Sequence, residues 1–208
     1  MPACFAQFGR GLPAVIVARG LLAGAFVGGE AFVPLMLVEE RKVALVLAGA
    51  ALTIGSVGWT TGSWLQSRPW LKIRRDRLIT LGCLSLVVGL GSTGLVALVP
   101  AVPYFLVAVG WIFAGLGMGL ATSSTSLALM TLSRTAEQGR NGSSLNLSDA
   151  LGSGLFVGVS GTIFVALRTT TDLSLTFGVV LGAMALVALL AAVASLRIGP
   201  VRNEFGAH

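Results

Sequence analysis

Six apolar runs, each about 20 residues or longer, constrain this chain most, because that is the length an α-helix needs to cross a bilayer's hydrocarbon core. They cover residues 13–38, 43–66, 78–99, 104–132, 143–167 and 173–196, and are separated by charges, prolines or hydroxyl clusters. The expected fold is therefore an all-α integral membrane domain of six transmembrane helices, formed by residues 1–208 as one unit. Composition agrees, with 55% of the residues apolar and 11% charged. The 28 glycines lie largely inside the apolar runs, where small residues let membrane helices approach closely.

The loops are short, so successive helices are expected to run antiparallel, and lysine and arginine mark the cytoplasmic side. Ten fall on one side: Arg10, Arg68, Lys72, Arg74, Arg75, Arg77, Arg134, Arg140, Arg197 and Arg202. The other side carries three, Arg41, Lys42 and Arg168. Both termini are thus expected in the cytoplasm. The outer connections EERK, PAVP and RTTTD leave no room for an extracellular domain.

The net charge of +6 is distributed between the apolar runs and does not form a basic face between aromatic platforms, so no nucleic-acid partner is expected. Arg10 before an apolar stretch resembles a signal peptide, but apolar character resumes beyond Arg19 to Val38, which reads as a signal anchor. Cys4 and Cys83 have neither metal-ligand nor disulfide spacing, and the single histidine, His208, is the last residue. No phosphate-binding loop, paired HExxH helix or nucleophile elbow is present. These residues call for no enzyme activity, metal or cofactor.

Charges inside spanning helices are costly and usually face a cavity or partner. Arg19 and Glu30 are eleven residues apart, near three turns, so they share one face of the first helix about 16 Å apart, with Ala23 and Phe26 between them. Arg19 either snorkels to headgroups or pairs within the membrane. Pro34 cannot donate to the Glu30 carbonyl, which places an open backbone group beside an ionisable side chain. Glu30 is the candidate proton carrier or substrate contact, against a neutral structural role. Asn146 and Asp149 neighbour each other on the fifth helix, with Ser153 at the next turn. Asp149 is expected to pair with Arg19, the alternative being a solvated first-turn acid at the helix terminus.

The fourth helix carries Gly115 and Gly119 and five successive hydroxyls from Thr122 to Ser126, each able to bond its own helix carbonyls. The second carries Thr53, Ser56, Trp59, Thr60 and Ser63 with Gly58 and Gly62. Trp59, Ser63, Ser123 and Ser126 are the cavity-lining candidates. Further small-residue pairs are Gly154/Gly158 and Gly178/Gly182. The third and sixth helices lack ionisable residues in their spans, so they are expected to face lipid while the other four line an interior or interface.

The segments GLLAGAFVGGEAFVPLMLV, GWTTGSWLQSR, GWIFAGLGMGL and RTAEQGRNGSSLNLSDALGSGL resemble the carboxy-terminal six-helix half of a major facilitator superfamily transporter, closest to bacterial drug:proton antiporters. The family's loop pattern G-x-x-x-D-R-x-G-R-R is matched by Gly62 and a basic run, with Gln66 in place of the acid. Its antiporter motif is echoed by Gly152, Gly154, Gly158 and Gly161 without the proline. The resemblance implies a 3+3 helix repeat in a bacterial inner membrane and proton-coupled, multidrug-type efflux of small amphipathic or cationic compounds. Such a fold needs a second six-helix half, either another copy or a separate chain. The alternatives are a non-transporting membrane scaffold or assembly subunit, or an inactive fragment of a longer transporter.

Overall fold

The computed structural model describes residues 10–68, 70–71 and 73–201; Cys4, Lys72, Arg202 and His208 lie outside the described residues. The elements are α1 (Leu12–Glu30), α2 (Val33–Glu39), α3 (Leu45–Gln66), α4 (Arg75–Leu98), α5 (Leu106–Leu132), α6 (Gln138–Leu167) and α7 (Leu173–Ser195), with a 3-10 turn at Thr135–Glu137 before α6. Among the described residues there is no strand. Six helices among those residues are long and apolar enough to cross a membrane: α1 and α2 together, then α3, α4, α5, α6 and α7.

The first span is not one helix. It breaks after Glu30, where the Phe32 N–H bonds back to the Gly29 carbonyl at 3.0 Å before α2 begins. Pro34 explains the break, since it cannot supply the N–H that would continue the ladder to Glu30. At the other end, Pro13 sits in the first turn of α1, where a missing N–H costs nothing.

Packing is close enough for backbones to touch. Along α1, Gly20, Gly24 and Gly28 face α6; a Cβ at Gly24 would lie 2.7 Å from the Gly152 carbonyl oxygen. Ser148 of α6 reinforces this seam by donating to the Ile16 carbonyl at 2.8 Å. Similar approaches join α3 to α5 and α4 to α5, where a Cβ at Gly89 would stand 2.6 Å from the Gly110 carbonyl oxygen. Helix α4 lies between α5 and α7, and α7 also packs on α1. The buried core includes Trp111, Phe177, Leu86, Leu90, Leu181 and Met184.

The expected sorting of helices needs correction. α4 and α7 do expose apolar side chains such as Leu84, Val88, Leu186 and Leu190, but much of each helix is packed in the core. The least buried spans are α3 and α6. Ionisable content did not reveal this, because α4 buries apolar and glycine faces against α5 and α7, and α7 against α4 and α1, whereas α3 is held mainly by α5 and α6 mainly by α1.

Hydrogen bonds tie the connections together. The Arg41 guanidinium donates to the carbonyls of Val96, Val99 (2.7 Å), Pro100 (2.9 Å) and Val102 (3.2 Å), satisfying the carbonyl end of α4, where a cation is favoured. At the opposite end, Gly11 donates to the Arg197 carbonyl at 3.2 Å, and Arg75 to the Val201 carbonyl at 3.1 Å. The Val201 N–H returns a bond of 3.2 Å to Asp76, which also pairs with Arg74 at 2.9 Å. Gln66 is buried and accepts from Arg75 at 3.4 Å.

Candidate functional site

The charged residues of the first and fifth spans converge on one chamber of about 410 Å³, open on one side. α1 supplies Arg19, Ala23, Phe26 and Glu30; α6 supplies Asn146, Asp149 and Ser153. Trp59 of α3 and Met118 of α5 complete the wall. The eleven-residue spacing of Arg19 and Glu30 therefore puts both on the chamber face, with Phe26 between them.

Arg19 pairs with Asp149 at 2.9 Å, the guanidinium being 11% exposed and the carboxylate 32%. Its other terminal nitrogen donates to Thr125 Oγ1 at 3.3 Å, leaving Nε buried without a partner among the described residues. The Thr125 hydroxyl in turn donates to the carbonyls of Ala121 (2.9 Å) and Thr122 (2.8 Å). One bonded chain thus links α6, α1 and α5. Helix α6 begins at Gln138, so Asp149 lies about three turns inside it; the first-turn alternative for this acid is overturned. The polar residues before Ser143 are helical too, and hydropathy alone does not register a helix once it leaves the apolar layer.

Glu30 sits at the break between α1 and α2, half-buried, and forms no ion pair among the described residues. The stretch between Glu30 and Arg19 is aromatic. Phe26 stacks on Trp111 at 5.5 Å and meets the edge of Trp59 at 5.6 Å. The chamber thus presents two aromatic rings set nearly perpendicular, Phe26 and Trp59, with the Glu30 carboxylate at the end of the same face.

The remaining cavity candidates lie elsewhere. Ser63 is half-buried against α5 and donates to the Gly119 carbonyl at 3.5 Å. Ser126 bonds the Thr122 carbonyl in its own helix at 3.2 Å, and Ser123 is half-buried outside the chamber lining. Within the hydroxyl cluster it is Thr125, not singled out by sequence, that meets Arg19. Phe26 was legible as a neighbour on the charged face, but its contacts with Trp59 and Trp111 depend on how three helices pack.

No protein-family model matches the chain, and no curated protein matches it.

Proposed function

We propose that this chain is a half-size secondary active transporter of the major facilitator type, exporting small amphipathic or cationic compounds in exchange for protons. The supporting observation is the one-sided chamber, in which a free carboxylate and an aromatic wall lie between the two least buried spans. A second six-helix unit, another copy or a separate chain, closes the open side and creates the cleft.

The charges give each residue a task. Arg19 and Asp149 neutralise each other at 2.9 Å, so the chamber's variable charge resides on Glu30. Deprotonated Glu30 attracts a cationic substrate against Phe26 and Trp59; protonation removes the attraction and releases it. Proton and substrate thereby compete for one carboxylate, which is sufficient to couple their opposite movement.

The test is reconstitution into liposomes with an imposed pH gradient and a fluorescent lipophilic cation as substrate. Wild-type protein is expected to move the cation against the gradient, and Glu30→Gln to reduce flux to that of protein-free vesicles. Unchanged flux in Glu30→Gln would remove this residue from the mechanism. No flux from folded wild-type protein, with or without a second six-helix chain, would favour a scaffold.

A further inference from the structure

An apolar groove lies on the opposite side of α1 from the chamber. At 100° per residue, Val17 is about 200° around the helix from Arg19. There Pro13, Val17 and Leu21 face Leu190, Val193 and Ala194 of α7 across an apolar groove of about 470 Å³. Ala14 and Ala194 have side chains too short to fill it. A second apolar furrow, about 240 Å³, shares Val17 and Leu21 and runs between α1 and α6, past Leu147, Leu151 and Leu155. Two furrows therefore flank one ridge on α1.

The groove is apolar along its length and basic at one end. Arg197 lines that end, is exposed, and makes no side-chain hydrogen bond or ion pair among the described residues. The Gly11 bond to the Arg197 carbonyl brings the chain bearing exposed Arg10 against the same point. In a bilayer this end lies at the headgroup level, on the face carrying most of the arginines.

We infer that this groove is a binding site for one anionic diacyl phospholipid, with a tail along α1 and α7 and its phosphate at Arg197 and Arg10. The adjoining furrow takes the second tail. Charge complementarity identifies the occupant: unpaired arginine at the mouth and hydrocarbon-lined walls match a molecule that is anionic at one end and apolar over the rest. The inference rests on the chain spanning a bilayer and is independent of the transport reading, because the two sites occupy opposite sides of α1.

The experiment is native mass spectrometry of the delipidated full chain titrated with phosphatidylglycerol or phosphatidylcholine. Wild-type protein is expected to retain one phosphatidylglycerol, and Arg197→Gln to bind it about fivefold more weakly, the effect of one basic residue at an anionic headgroup. Arg197→Lys restores most of the loss. Ala194→Phe, which fills the groove, weakens both lipids, while Glu30→Gln changes neither. Soluble glycerol phosphate at the same concentration does not displace the lipid. Equal phosphatidylglycerol binding by wild type and Arg197→Gln, or displacement by glycerol phosphate, would overturn the site. If Ala194→Phe does not fold, Val193→Phe asks the same question at the groove's lipid-facing edge.

Discussion

The Thr125 hydroxyl does two things at once: it donates into the carbonyl ladder of α5 and accepts from Arg19. Hydroxyls in membrane helices commonly stop at the first task. This second bond, together with the Asp149 carboxylate, holds a guanidinium in a largely buried position. Removing either partner of a buried pair leaves a charge uncompensated. Arg19→Gln and Asp149→Asn are each expected to cost about 1–3 kcal/mol, below the fully buried range because the carboxylate is partly open to the chamber. The double variant should recover more than half of the summed loss. Thermal unfolding in one detergent measures this, and additive losses would show that the residues act separately. The pairing was legible because both charges lie at similar depths in their helices. Which hydroxyl joins them was not, because five successive candidates point in all directions around α5.

At the scale of the helix, the glycines separate into two populations. Gly20, Gly24 and Gly28 make the α1–α6 seam, whereas Gly154, Gly158 and Gly182 have nothing within 4 Å of an added Cβ. Gly24→Val is therefore expected to destabilise the chain by about 1–3 kcal/mol through overpacking. Gly154→Ala should lie within about 0.5 kcal/mol of wild type when no second unit is bound. Comparing unfolding temperatures of the two variants checks the division. Spacing by four residues marked the Gly58/Gly62 and Gly115/Gly119 pairs, both of which pack between α3 and α5. It marked Gly154/Gly158 equally, although that pair is open. A small-residue spacing shows that a close approach is possible, but not which helix makes it. Likewise the six spans were evident from hydropathy, while the break after Glu30 required the backbone consequence of Pro34 to be followed through.

For the molecule as a whole, the open flanks of α3 and α6 are the surfaces on which a second six-helix unit is expected. A photoactivatable residue at Val57 or Val157, both exposed, should crosslink to protein in native membranes. The same residue at exposed Leu84 or Leu186 should not. Protein crosslinks at all four positions, or at neither of the first two, would count against this arrangement. The ties between helix ends also bear on how such an assembly moves. Arg41 joins the first span to the third, Gly11 with Arg197 joins the first to the sixth, and Arg75 with Val201 joins the third to the sixth. Mechanically these three spans form a truss: three struts pinned pairwise at their ends resist shear. In the proposed transport cycle, rocking would be rotation of the truss as a rigid body or displacement of α3, α5 and α6 against it; the chamber is built where the truss meets those remaining struts.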